Sequence, residues 1–228
     1  MTILTFLLSF STRLLAEEEE EEVWVITSLN WQPYAGSEMT SQGNSIQKLR
    51  QLLKKAGISL LVEFYPWKRA QAVARGKRYV GYFPAWPEEV KPGFIASPAI
   101  DVSQIGVLKR SGLDIKYEGI DSLFKHYKVG VVSSYTYPKP IEQAMTKYPE
   151  HVEKTVNEIT LLMKLSKGRH PVAITDPNVM QYLFEKHGID NIQPLQVIMH
   201  SELVIAFRNE ADNLPRLALL KRLLDKGE

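Results

Sequence analysis

An α/β fold built on parallel strands is what this sequence predicts, on three observations. Short apolar runs rich in β-branched residues alternate with segments whose apolar residues fall at helical spacing, from Val23 almost to the C-terminus. One stretch, EFYPWKRAQAVARGKRYVGYFPAWP (Glu63 to Pro87), carries the strand, turn, helix, glycine stop and strand of a βαβ unit. No internal period and no low-complexity linker divides the chain.

Taken in order, Val23 to Ser28 (VWVITS) is the first strand, followed by the aromatic loop Asn30-Trp31-Gln32-Pro33-Tyr34. Gly43 to Ala56 places Ile46, Leu49, Leu52 and Leu53 on one helical face, with Asn44 and Ser45 as cap candidates and Gly57 as the stop. Ile58 to Phe64 is the second strand. Pro66 turns the chain into a helix over Trp67 to Arg75, Gly76 ends it, and Tyr79 to Phe83 is the next strand. Phe94 to Pro98 and Val102 to Leu108 read as extended, Ile120 to His126 as a short helix, and Tyr127 to Val132 as a strand running into the turn Ser133-Ser134-Tyr135-Thr136. Helices follow at Ile141 to Lys147 and Glu158 to Ser166, then a strand at Val172 to Thr175 and a helix at Asn178 to Lys186. Two separate strands, Leu195 to Met199 and Leu203 to Phe207, precede an amphipathic helix over Leu214 to Asp225. Ligands of open α/β sheets bind beyond the carboxyl ends of the strands. Trp67, Arg69, Phe83 and Trp86 fall near such ends and offer stacking and charge.

The 228 residues suffice for one large domain or two small lobes. The sequence has no cysteine, which removes disulfides, thiolate nucleophiles and cysteine metal sites together. At the N-terminus the apolar block Ile3 to Phe10 is too short for a bilayer, which needs ~20 residues, and reads as the core of a secretory signal. Residues 1–16 are the expected signal peptide, with cleavage near Ala16, and the glutamate run 17–22 an acidic spacer. Setting aside Arg13 and the six glutamates leaves 27 basic and 20 acidic residues of the total 28 and 26 from Val23 onward. That surplus is compatible with a solvated lysine-rich exterior and with attraction for anions.

Several chemistries are missing. There is no phosphate-binding glycine loop, no nucleophile elbow and no His-Glu-x-x-His motif, and the five histidines lack ligand spacing. No cofactor or metal is expected. Basic residues are dispersed, without the aromatic-interleaved stripe that nucleic acid requires.

The ordered motifs W-Q-P-Y (31–34), P-W-K-R-A (66–70), G-K-R-Y (76–79), F-I-A-S-P (94–98), D-S-L-F-K-H-Y-K-V-G-V-V-S-S (121–134), G-R-H-P-V-A-I-T-D (168–176) and L-V-I-A-F (203–207) resemble the bacterial extracellular solute-binding proteins of the amino-acid-binding family. The resemblance covers Val23 to the C-terminus. It implies the type II periplasmic binding fold: two lobes, each a doubly wound mixed sheet flanked by helices, joined by two crossover segments. Lobe one would be 23–100 plus 201–228, and lobe two 101–200.

The resemblance also implies a site. Trp31 matches the aromatic that stacks on ligand in the first lobe, with Tyr34 beside it; the alternative for Trp31 is a place on the lobe surface. Ser134, Tyr135 and Thr136 match a turn whose hydroxyls and N–H groups hold an anion, or else cap a helix. Asp176 matches the acid that binds an amino group, and before Pro177 it is equally placed to cap the next helix. The family's carboxylate-binding arginine falls at about Glu89 or Val90, and neither can replace it. Arg69 could supply a guanidinium or be a solvated helix residue; Trp67 could pack inside or touch ligand.

The implied role is a periplasmic, monomeric protein without catalytic residues that captures a small polar or aromatic, amino-acid-like molecule by hinge closure for ABC-type uptake. Its partners would be the small-molecule ligand and a membrane permease, or a membrane receptor if it is a sensory module. An enzyme such as a dehydratase of cyclic acids would need a general acid, for which Glu63 and Asp176 are the candidates.

Overall fold

The computed structural model describes residues 22–225. The signal-peptide reading lies outside the described residues, as does the glutamate run except Glu22. Nine strands form among the described residues, β1 (Val23–Ser28), β2 (Ser59–Phe64), β3 (Gly81–Ala85), β4 (Phe94–Ala96), β5 (Asp101–Arg110), β6 (Val129–Val132), β7 (Val152–Thr155), β8 (Val172–Thr175) and β9 (Ile192–Arg208). The α-helices are α1 (Asn44–Lys54), α2 (Trp67–Val73), α3 (Ile120–His126), α4 (Lys139–Lys147), α5 (Glu158–Ser166), α6 (Pro177–His187) and α7 (Leu214–Asp225). None of the described helices is long and apolar enough to cross a membrane.

The strands pair in the order β2-β1-β3-β9-β5-β8-β6-β7, with β4 also on β9. β1 is parallel to β2 and β3, and β6 is parallel to β7 and β8, as right-handed βαβ crossovers require. β9 is antiparallel to β3, β4, β5 and β8's neighbour β5 is antiparallel to β8, so the sheets are mixed. Two lobes result. The C-terminal part of β9 completes the sheet of β1–β4, and its N-terminal part completes the sheet of β5–β8. β9 passes between them as one 17-residue strand rather than the two expected. His200-Ser201-Glu202 breaks the apolar pattern there, but the backbone continues because it pairs with β5, Ser201 opposite Ser103 and His200 opposite Gln104.

Each lobe has its own interior. Trp24 and Ile26 of β1, Leu49 and Leu53 of α1, and Phe207 are fully buried, with Trp24 meeting Phe207 edge-on at 5.7 Å. In the other lobe Val129 and Val131 of β6, Leu161 and Leu165 of α5, and Ile174 of β8 are fully buried. Full burial of such a side chain contributes roughly 1.5–3 kcal/mol. β3 spans Gly81–Ala85 rather than the expected Tyr79 to Phe83, and position 81 must be glycine because a Cβ there would lie 1.9 Å from the Ala206 carbonyl oxygen of the paired β9. α1 is not capped by Asn44 or Ser45. Gly43 precedes it with φ 104°, and the Ser45 hydroxyl instead donates to Asp101 Oδ2 at 2.6 Å, tying α1 to the start of β5. Strand β7 was not anticipated, since its sequence VEKT is polar and it lies at the sheet edge.

Candidate functional site

Between the lobes lies a cavity of about 500 Å³, walled by the residues that follow the carboxyl ends of four parallel strands. Leu29 to Gln32 follow β1, Tyr65 to Trp67 follow β2, Ser134 and Tyr135 follow β6, and Val156 to Ile159 follow β7. Strand termini aimed at one cleft are what the parallel arrangement on each side produces.

The first lobe presents rings. Trp31, 5% exposed, stacks on Tyr34 at 4.6 Å and 29°, and meets Trp86 edge-on at 6.0 Å. Trp67, the first residue of α2, lies across the β2 end. The second lobe answers with Tyr135, whose ring meets Trp86 edge-on at 5.6 Å. A nook of about 10 Å³ opens off the same floor, lined by Trp31, Trp67, Trp86, Tyr135 and Glu89.

Two carboxyl groups are buried at this floor, one from each lobe. Glu89, 5% exposed, accepts from the Trp67 indole N–H at 2.7 Å, from Trp86 N–H at 3.4 Å and from Thr136 N–H at 3.4 Å. Burial pushes its pKa up to about 7, against the pull of those donors and of the Lys91 charge. Glu158, the first residue of α5 after the Asn157 cap, is 7% exposed and lines the main cavity. The Thr175 hydroxyl lies 2.7 and 2.8 Å from its two oxygens. Burial again pushes the pKa up to about 7, the Thr175 and Tyr135 hydroxyls opposing it and the Asp176 charge adding to it. The Trp31 indole N–H has no partner in hydrogen-bonding geometry, yet it is near enough to Glu158 to favour the carboxylate.

Polar contacts join the lobes around the cleft. The Tyr34 hydroxyl donates to Asp176 Oδ2 at 2.9 Å and accepts from Asn178 Nδ2 at 2.9 Å. Burial, then the Asp176 charge, raises the Tyr34 pKa, so it stays a donor. Lys91 Nζ donates to Thr136 Oγ1 at 2.7 Å. Asp176 also accepts from Gln104 N–H (2.8 Å), Asn178 N–H (2.6 Å) and Val179 N–H (3.2 Å). With Tyr34 that makes four donors, which fill the roughly four acceptor sites of a carboxylate.

The structure therefore brings Trp31, Trp67, Ser134 and Tyr135 to the cavity and Trp86 to the nook beside it. Tyr34 lies behind Trp31, and Asp176 caps α6 while bonding Tyr34 across the cleft. Thr136 faces Lys91 and Glu89. Phe83 is fully buried in β3, outside the cavity wall. Arg69 is exposed on α2 and is not itself a lining residue, but its guanidinium lies 5.3 Å from the centroid of the cavity-lining Tyr65 ring. Of the acids considered for catalysis, Glu63 accepts from Tyr79 and Tyr65 at 2.7 and 2.8 Å and pairs with Arg78 at 2.7 Å, bonds that lower its pKa and make it a poor proton donor. Glu158 escaped sequence reading altogether. Its one signal, an acid at the start of a helix-like segment directly after Asn157, reads equally well as an exposed helix start.

No protein-family model and no curated protein sequence matches the chain. Solved structures do. A histidine kinase sensor domain with similarity to periplasmic binding proteins superposes with a TM-score of 0.74 at 14% identity, over 90% of each chain. An ancestral arginine-binding protein bound to arginine gives 0.73 at 16% identity, over 90% of this chain and 91% of that one. An ancestral amino acid-binding protein, a precursor of cyclohexadienyl dehydratase, gives 0.68 at 17% identity, over 90% of this chain and 88% of that one.

Proposed function

We propose that this chain, which has the two-lobed type II periplasmic binding fold, is a periplasmic solute-binding protein that captures a small polar or aromatic, amino-acid-like molecule between its lobes. The observation that carries the reading is the aromatic-walled cavity of about 500 Å³ between the sheets, within the size range of small-molecule sites. In this reading residues 23–100 with 201–228 move as one body against 101–200, hinging where β5 and β9 pass side by side from lobe to lobe. Trp31, Trp67 and Tyr135 contact the ligand, and Ser134 hydrogen-bonds it. The Tyr34–Asp176 and Lys91–Thr136 contacts hold the closed form. The protein acts as a monomer and hands its cargo to a membrane permease of the ABC type.

Native mass spectrometry of the purified protein, followed by a thermal-shift screen of amino acids, amines and aromatic acids, tests this. A ligand at ~100 times its Kd stabilises the bound form by about 2.7 kcal/mol, an upward shift of roughly 5–10 °C for a chain of this size. A flat response over the whole panel with an intact fold refutes the reading. Binding of the closed form to a receptor ectodomain instead of a permease would reassign the same cleft to sensing.

A further inference from the structure

The charge pattern of the cleft narrows what it holds. Glu158 lines the cavity and Glu89, from the other lobe, lines the small nook beside it; among the described residues neither takes part in an ion pair, and the Lys91 charge acts on Glu89 alone. The charged residues at the rim, Glu38 and Lys186, are both exposed and opposite in sign. No arginine lines the cavity. The Thr136 N–H, a backbone donor in the turn after β6, is directed to Glu89 at 3.4 Å, so the protein's own carboxyl occupies the place an incoming anion would need.

A ligand carboxylate entering this floor would meet two acids without a guanidinium to clamp it, and burying an unpaired charge is costly. A cation meets the opposite conditions. Trp31, Trp67 and Tyr135 present ring faces or edges to the space, and a desolvated cation over such a face is held by the negative charge of the ring's π-system. The Trp31 indole N–H, although near Glu158, is a buried donor without a partner in hydrogen-bonding geometry, in a side chain 5% exposed that lines both the cavity and its nook. It calls for an acceptor atom within the cleft.

Resting on the solute-binding reading, we infer that the cleft selects a small organic cation, a protonated amine that carries an acceptor atom and no carboxylate, held at Glu158 among Trp31, Trp67 and Tyr135, with Glu89 beneath the adjoining nook. The cation supplies the counter-charge that Glu158 lacks, and because Trp31 and Trp67 belong to the other lobe it draws the lobes together. Closure is thereby coupled to the ligand's charge.

Calorimetric titration of the purified protein with matched pairs tests this: agmatine against arginine, tyramine against tyrosine, ethanolamine against serine. At least one amine is expected to bind ten times or more tightly than its carboxylated parent. Glu158→Gln, which keeps the shape and removes the charge, is expected to lower that amine's affinity tenfold or more while the melting transition stays cooperative; Glu89→Gln, which also turns one acceptor oxygen into a donor, is expected to lower it less. Parents binding as tightly as the amines, or aromatic acids binding alone, overturns the inference and leaves solute binding intact. Failure of amines, amino acids and acids alike overturns both. The wild-type comparison decides the matter by itself if either variant fails to fold.

Discussion

Replacing Glu89 by glutamine probes the floor of the cleft without any ligand. The folded pKa of about 7 stands above the reference value of 4.5, so the folded protein holds a proton there that the unfolded chain has released between those values. The contribution to stability is therefore fully present below about pH 4.5 and is lost as pH rises through about 7. At ~1.4 kcal/mol per pH unit, the loss between about pH 5 and about pH 8 comes to roughly 2.5 kcal/mol. The facing groups are Lys91, whose charge moderates the shift, and Tyr135 and Tyr137, which both feel the Glu89 charge. Urea denaturation of wild type and Glu89→Gln at both pH values measures the effect. The wild type is expected to lose stability with rising pH, and the variant to lose about 2.5 kcal/mol less of it. Because Thr136 and Tyr135, which cover Glu89, come from the other lobe, part of that loss is expected as opening, seen in X-ray scattering as a larger radius of gyration at high pH. Parallel pH profiles for variant and wild type would refute the burial argument.

Three further outcomes follow from the geometry. Tyr34→Phe removes a bond to a charged acceptor that joins the lobes, worth ~1.5–3 kcal/mol, and is expected to weaken ligand affinity roughly ten- to hundredfold with little change in melting temperature; equal affinity in calorimetry would show the bond does not support closure. Gly81→Ala drives a Cβ to 1.9 Å from the Ala206 carbonyl and is expected to cost roughly 1–3 kcal/mol, measurable as a lower urea midpoint, while a neutral result would contradict the β3–β9 register. Arg69→Ala, at an exposed position that reaches the cleft only through its contact with the Tyr65 ring, is expected to change stability by no more than ~0.5 kcal/mol and to leave ligand affinity nearly unchanged.

What the sequence disclosed depended on whether the signal was local. β1 and α7 have the expected bounds because dense β-branched residues define one and helical spacing of Leu217, Leu220 and Leu224 the other. β7 and the middle of β9 are strands by pairing, not by hydrophobicity, and their polar residues hid them. The same division runs through the site. Trp31, Trp67 and Tyr135 could be found because each sits just past a recognisable strand end. Phe83 is expected at a strand end, but β3 runs from Gly81 to Ala85, so Phe83 is the middle residue of a fully buried strand. Glu89 and Glu158 could not be found as buried acids, since their burial is made by rings and hydroxyls brought from distant segments: Trp67 and Thr136 around one, Thr175 and Trp31 around the other. Asp176 was open to two roles, and the four donors around it make it a helix cap and a clasp between lobes.

The most direct test of interlobe capture is a crystal structure of the protein with the tightest ligand from the amine panel. The account predicts density between Trp31 and Tyr135, within reach of Glu158, with the lobes closed relative to a ligand-free crystal form. Density elsewhere on the molecule, or an interlobe angle identical with and without ligand, would contradict it.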